Sequence, residues 1–289
     1  MFKGGVFIKG QVIKAVASRY TVKTDNEILV CTIRKRVKNK INVFVGDYVE
    51  VNDNIIEKVY ERKNQLVRPY VANIDTLLIV VAQVPQPDWI LIEKLILNCH
   101  IQNIRPIICI NKSDLLSEKE IKEWIYPYKG EIEIAVLSTL SGQGVDELKN
   151  MIKGQLACFA GQSAVGKTSI LNVICQKDCE VGELSRKIER GKNTTRHVEI
   201  FECDEIKVID TCGFSILETV DIKYDELMYY YDSFVKLQHL CRYPNCTHTS
   251  EPDCAVKKAV KSKEINQERY QRYLGLFDEL KENWRKKYE

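Results

Sequence analysis

Apolar and polar positions change rhythm twice along this chain. Over residues 1–68 they form short strand-length runs, at 5–14, 28–33 and 48–51, and Gly46-Asp47 marks a turn before the last. Runs of this length bounded by turn residues read as strands, and no long helical period intervenes. A small all-β barrel of the OB type fits this length and spacing, and such barrels commonly hold nucleic acid on one face. The run from Arg34 to Lys40 is expected to be a mobile basic loop of that barrel.

From residue 71 the pattern becomes strand, turn, helix, repeated. Strand-length apolar runs occupy 77–82, 106–110, 132–137, 156–160, 197–202 and 206–209, and helix-period stretches such as Trp89 to Asn98 lie between several of them. That alternation predicts a mostly parallel sheet covered by helices. Four of the runs end directly at polar motifs, at Asn111, Ser138, Gly161 and Asp210. Ligands of open α/β sheets sit outside the carboxyl ends of the strands, so the four motifs should converge on one crevice. After residue 220 helix formers dominate. Tyr270, Tyr273, Phe277, Leu280 and Trp284 fall on one helical face, a stripe expected to pack against the rest of the chain rather than to stack on RNA.

Charge sharpens the first segment. Residues 1–70 hold 14 Lys/Arg against 7 Asp/Glu, whereas the remainder holds 29 against 33. A basic head on a mildly acidic body points to a polyanionic partner. No apolar run approaches the roughly 18 residues of a membrane span, and Met1 to Gly5 lack the layout of a signal peptide. The expectation is a cytoplasmic monomer with no membrane contact. Eleven cysteines in such a setting argue against a disulfide framework. Eight are scattered singly and read as small core hydrophobes, as in the strand-like surroundings of Cys109 and Cys158.

The chemistry lies in three motifs. In Gly161-Gln162-Ser163-Ala164-Val165-Gly166-Lys167-Thr168-Ser169 the glycines let successive backbone N–H groups face phosphates, with the following helix adding its positive end. Lys167 supplies a point charge to the outer phosphates and Thr168 a hydroxyl for magnesium. Alone this pattern also fits ATPases and small-molecule kinases. Asn111-Lys112-Ser113-Asp114 removes that ambiguity, because the Asp114 carboxylate can accept from both the ring N–H and the exocyclic amine of guanine. Asn111 would brace the loops, the stem of Lys112 would lie along the base, and Ser138 would touch the base through its backbone. Asp210 and Gly213 fit the magnesium-side carboxylate and the glycine that senses the terminal phosphate. Thr194 and Thr195 are both candidates for the switch threonine on magnesium. Phe214 stands where many GTPases carry a water-orienting glutamine, so hydrolysis must rely on another residue or a partner. The guanine motif precedes the phosphate loop, the reverse of the usual order, which implies a circularly permuted nucleotide domain; permutation preserves a packed site when the old termini were close.

Cys241, Cys246, His248 and Cys254 follow Cys-x4-Cys-x-His-x5-Cys spacing. Three thiolates and an imidazole form a closed tetrahedral shell, which predicts one structural zinc. His239 nearby would make a less compact chelate.

With permuted motifs, a barrel head and this knuckle, the whole chain resembles the RsgA family (also called YjeQ or YloQ), including Arg68-Pro69-Tyr70-Val71-Ala72-Asn73-Ile74-Asp75 at the domain junction and Arg269-Tyr270-Gln271-Arg272-Tyr273-Leu274 near the end. The expected architecture is multidomain: an N-terminal all-β OB-fold barrel (1–69), a central α/β circularly permuted P-loop GTPase domain (70–219) and a C-terminal, mainly α zinc-binding domain (220–289). The resemblance implies a GTPase that binds the small ribosomal subunit and its rRNA late in maturation, converts GTP to GDP, and helps release assembly factors. The alternative is a GTP-gated RNA-binding switch or chaperone whose hydrolysis is incidental. Two positions depart from the family: Cys212 replaces its usual proline, and Asn193 replaces a histidine thought to position or activate water. The second leaves Asn193 itself as the candidate water-positioning group.

Overall fold

The computed structural model describes residues 7–38, 41–67, 69–175, 198–211 and 222–288. Five strands, β1 (Ile8–Val16), β2 (Arg19–Lys23), β3 (Ile28–Ile33), β4 (Tyr48–Asn52) and β5 (Ile55–Val59), close into a barrel in the order β1-β2-β3-β5-β4, with β4 returning to β1. One strand face supplies the interior, where Val12, Val22, Cys31, Val49, Val51 and Ile56 pack together. All barrel pairings are antiparallel except β3 with β5. The basic run does not remain a loop: Lys35–Lys38 forms a helical turn, α1, whose Val37 is buried while Arg34 pairs with Glu57 at 2.9 Å. A short hairpin, β6 (Gln65–Leu66) with β7 (Val71–Ala72), leads out of the barrel.

The central sheet is built from β8 (Thr76–Val81), β9 (Arg105–Ile110), β10 (Glu133–Val136), β11 (Leu156–Ala160), β12 (Val198–Cys203) and β13 (Ile206–Thr211), in the order β10-β9-β8-β11-β13-β12. Only β12 runs antiparallel to its neighbour within this set. The central strand β11 leads into the phosphate loop, and β8, far earlier in sequence and paired with it from Thr76↔Ala157 to Ile79↔Ala160, lies on one side of it with β13 on the other. β8 and β11 are buried along their whole length, as strands covered on both faces must be.

Helices α2 (Trp89–Ile101), α3 (Glu118–Ile125), α4 (Val145–Ile152) and α5 (Lys167–Cys175) cover the sheet. α2 starts at Asp88, whose side chain accepts from the Leu91 N–H at 3.0 Å. Its buried residues do not form a single stripe: Leu95 and Ile96 face the sheet core and Leu97 faces the C-terminal core. It is therefore sandwiched between two parts of the molecule.

The C-terminal part comprises a 3-10 segment at Tyr224–Tyr230, α6 (Asp232–Leu237), α7 (Ala255–Lys261) and the long α8 (Gln267–Tyr288). Tyr270, Tyr273, Phe277 and Leu280 of α8 are buried in its core beside Leu227 and Phe234, and Tyr224 packs edge-on to Trp284. The aromatic stripe thus packs inward. A buried ion cluster locks α8 to α2: Glu93 lies 3.2 Å from Arg272 and 3.5 Å from Arg269, and receives the Tyr231 hydroxyl at 3.3 Å.

Two features connect parts that the sequence pattern left separate. β1 pairs antiparallel with β12 through Lys14↔Glu199 and Ala15↔Val198, so barrel and nucleotide sheet form one continuous sheet. Cys175 and Cys203, taken from their isolation in sequence as single core residues, are joined by a disulfide. Cys31, Cys99, Cys109 and Cys158 are buried free thiols, as the pattern predicts.

Candidate functional site

The phosphate loop is held by contacts only glycine permits at two points. A Cβ on Gly161, at φ +126°, would meet the Val80 carbonyl oxygen at 2.3 Å. One on Gly166, at φ +97°, would meet the Asn111 side-chain nitrogen at 2.2 Å. The second approach joins the two nucleotide motifs. Fully buried Asn111 donates its side-chain amide to the Val165 carbonyl at 2.9 Å. Lys112, in the left-handed region at φ 57°, donates its ammonium to the carbonyls of Ala164 at 2.9 Å and Val84 at 3.0 Å. Ala164 also holds a positive φ of 64°, which an L residue adopts at a cost of about 1–2 kcal/mol. That conformation turns its carbonyl to Lys112.

Asp114 is exposed at the rim and its Oδ1 accepts from the hydroxyl of fully buried Ser138. Ser138 is itself fixed by the Ser141 N–H, which donates to its Oγ at 3.3 Å, while the Ser113 N–H donates to the Leu137 carbonyl at 3.1 Å. Ser113 is buried and its hydroxyl makes no hydrogen bond. The ends of β9 and β10 therefore present one carboxylate edge to a base.

Lys167 begins α5 and is buried; its Nζ donates to the Gly161 carbonyl at 2.9 Å and to that of Gln162. Gln162 does something the motif did not announce. Its Oε1 accepts from the Asp88 N–H at 3.0 Å and its Nε2 donates to the Gln86 carbonyl at 3.1 Å, tying the loop to the start of α2. Ser163 is exposed, Val165 is fully buried, and Thr168 and Ser169 are half-buried on the first turn of α5. Asp210, buried near the end of β13, lies on the strand adjacent to β11. Asn193, Thr194, Thr195 and Gly213 lie outside the described residues, as do His197, Cys212 and Phe214.

The second site is a cluster of three cysteines and a histidine arranged to hold a metal. Ligand atoms of Cys241, Cys246, His248 and Cys254 all lie within 4.8 Å of one another, and His239 stays outside this set. Cys241 and Cys254 sulfurs are 4.0 Å apart, and His248 Nδ1 is 3.6 Å and 3.3 Å from them. Edges of about 3.8 Å are what a tetrahedron with ~2.3 Å zinc–sulfur bonds requires. Backbone N–H groups of Ala255 and Lys257 donate to Cys241 and Cys254 sulfurs at 3.3 Å and 3.5 Å, which favours thiolate. Burial pushes the Cys246 thiol up to about 12 and His248 down to about 4, so the imidazole is neutral, as a ligand must be. A divalent cation would supply the charge that draws off the thiol protons. The donor set fits a structural zinc, with no position left for substrate. α8 holds the knuckle from outside: Tyr270 and Tyr273 hydroxyls donate to the His248 and Thr247 carbonyls at 2.6 Å and 2.5 Å.

Known proteins resemble the chain along nearly its whole length. The RsgA N-terminal domain profile matches residues 9–58, and the RsgA GTPase profile matches residues 59–220. The small ribosomal subunit biogenesis GTPase RsgA of Caldanaerobacter subterraneus subsp. tengcongensis is 40% identical, over 97% of this chain and 98% of that protein. RsgA 2 of Oceanobacillus iheyensis is 39% identical, over 94% and 97%. The crystal structure of YjeQ from Thermotoga maritima superposes with a TM-score of 0.78 at 31% identity, covering 95% of this chain and 99% of that one. That of YloQ, described as a circularly permuted GTPase, gives 0.74 at 31%, covering 98% of each. With the guanine motif ahead of the phosphate loop, the two interlocked in one crevice, and a barrel and knuckle on either side, this chain belongs to the RsgA family of circularly permuted GTPases.

Proposed function

We propose that the chain is a small-ribosomal-subunit-dependent GTPase of the cytoplasm, hydrolysing GTP to GDP and phosphate late in maturation of that subunit. The single observation that carries this reading furthest is the pair of bonds from Asn111 and Lys112 to the phosphate-loop carbonyls of Val165 and Ala164. They make the base-reading and phosphate-binding halves one rigid crevice, and phosphoryl transfer depends mainly on positioning and charge stabilisation.

In this reading the chain divides into an RNA-binding barrel (1–69), the GTPase domain (70–219) and the zinc-binding domain (220–289). Asp114 reads guanine, Ser138 fixes the carboxylate, and Lys112 lies along the base. Backbone N–H groups from Gln162 to Gly166 receive the phosphates, and Lys167 leaves its carbonyl partners to neutralise the outer ones. Magnesium, when bound, supplies positive charge to the phosphate oxygens; the Thr168 hydroxyl and Asp210 would hold it, with Thr194 or Thr195 completing the set. Asn193 would hydrogen-bond the attacking water, and the Gly213 N–H would sense the terminal phosphate. The barrel's positive charge favours rRNA as the partner surface. No helix among the described residues is long and apolar enough to cross a membrane.

GTP turnover measured with and without purified small subunits tests the proposal. Slow intrinsic turnover with strong stimulation is expected. Subunit binding that depends on GTP without stimulated turnover would favour an RNA-binding switch whose hydrolysis is incidental.

A further inference from the structure

Most thiols of this chain have an evident place, in an apolar core or in the knuckle. Cys175 and Cys203 stand apart: Cys175 is only half-buried at the margin of the sheet core, and Cys203 is half-buried at the end of its strand. Cys175 ends α5, the helix that begins at Lys167, and Cys203 ends β12. Their Cα atoms are 5.1 Å apart and their sulfurs are bonded across 28 positions of sequence. Cys99, Cys109 and Cys158 are buried, whereas both members of this pair are half-buried and within reach of small oxidants and reductants.

We infer that Cys175 and Cys203 are a reversible oxidative modification site, a dithiol that closes to a disulfide across residues 176–202 and in closing slows the GTPase cycle. Only the second half of this rests on the proposed function. The chemistry balances with a low-molecular-weight disulfide as oxidant. One cysteine, as thiolate, attacks a sulfur of the small disulfide, forming a mixed disulfide and releasing one small thiol. The other cysteine then attacks the mixed disulfide, forming the Cys175–Cys203 bond and releasing the second. The two cysteines lose two electrons, the small disulfide gains them, and the two cysteine protons leave on the two small thiols. Excess thiol reverses both steps. A reducing interior keeps the pair open, so closure is a response to oxidation.

The bond's position gives it leverage. α5 carries the phosphate-loop lysine at its other end, and β12 pairs with β13 from Val198↔Thr211 to Cys203↔Ile206, with Asp210 opposite Glu199. A covalent tie from α5 to β12 fixes that helix against the strand pair bearing Asp210. Passing between nucleotide states asks the phosphate-loop helix and the strand pair beside it to shift against one another, and a cross-link between them restricts that shift.

The test uses the full zinc-loaded protein equilibrated in glutathione buffers from reducing to oxidising, then blocked at free thiols and digested with trypsin. Cleavage at lysine and arginine places Cys175 in Thr168–Lys177, Cys203 in His197–Lys207 and Cys179 in Asp178–Arg186. The first two peptides should be linked in the oxidised sample and separate on reduction. Subunit-stimulated turnover should fall at least about threefold on oxidation and recover with thiol, and the thermal midpoint should rise by roughly 5 °C. Cys175→Ser and Cys203→Ser should show none of these responses. Cys175 left unpaired, or linked to Asp178–Arg186, overturns the site. A disulfide that forms without changing turnover overturns its role in the cycle. An oxidative loss that persists in Cys203→Ser, with zinc released from the knuckle, also counts against it. If the reduced parent fails to hydrolyse GTP, the functional reading fails while the peptide map still decides the thiol chemistry.

Discussion

Asp114 sits exposed at the mouth of the crevice with one oxygen already engaged by Ser138. In the proposed function its remaining acceptor capacity would distinguish guanine from adenine. Asp114→Asn converts an acceptor pair into one acceptor and one donor, so GTP affinity should fall about 10- to 100-fold, with preference shifting toward xanthosine nucleotides. Competition binding with GTP and XTP reads this directly; unchanged GTP affinity would remove the base-reading role. Residues of this kind were legible in the sequence because their chemistry demands fixed neighbours: a phosphate loop needs Gly166 and Lys167 side by side. Gln162 was legible as a loop member but not as the bridge to Gln86 and Asp88, because that bond spans 74 positions to Asp88. The Cys175–Cys203 pair escaped for the same reason, since separation in sequence carries no signal of 5.1 Å proximity. At Asn193 the sequence reading stands as an expectation.

Among elements, strongly patterned ones were readable and weakly patterned ones were not. β8 and β11 are continuous apolar runs, and both stand within a residue or two of their expected limits. β2, Arg-Tyr-Thr-Val-Lys, does alternate, but it has only two apolar residues and buries only Val22 completely, too little to stand out from a turn. The basic run forms a helical turn because Val37 has a core to enter. α2 and α8 show what pairing adds: Arg269 and Arg272 stood in a family-like motif, but only packing reveals Glu93 between them. Glu93→Ala would take the carboxylate from buried Arg272 and leave Arg269 with Glu131 alone, and should cost about 3–5 kcal/mol, read from the urea midpoint. A variant as stable as the parent would mean water reaches the cluster. The knuckle predicts one zinc per chain. Cys246→Ser should lose it, with the 241–254 segment losing protection from hydrogen exchange while GTP binding persists; elemental analysis finding no zinc in the parent would reject the site.

At the scale of the whole molecule, the uneven charge and the shared sheet act together. Arg34 is occupied by Glu57 and Lys35 is exposed; the other cations that the sequence places in this run are Arg36, Lys38 and Lys40. Replacing Lys35 and these three with glutamine should weaken small-subunit binding and flatten its salt dependence by roughly 0.7–0.9 in log–log slope per lost phosphate contact, leaving intrinsic turnover unchanged. Normal binding at all salt concentrations would move the RNA contact elsewhere on the barrel. The pairing of β1 with β12 also solves a different problem. Without the barrel, β12 is the outermost strand of the central sheet, with its backbone open along one side. Lys14 and Lys23 now cover that side through ion pairs to Glu199 and Glu202. Unpatched strand edges recruit other edges. A chain shortened to begin at residue 59 should therefore associate with itself in a concentration-dependent way in light scattering, and Val198→Pro in that shortened chain should return it toward a monomer. The barrel is in this sense a guard against fibre-like self-assembly, which makes its loss a solubility defect before it is a ribosomal one.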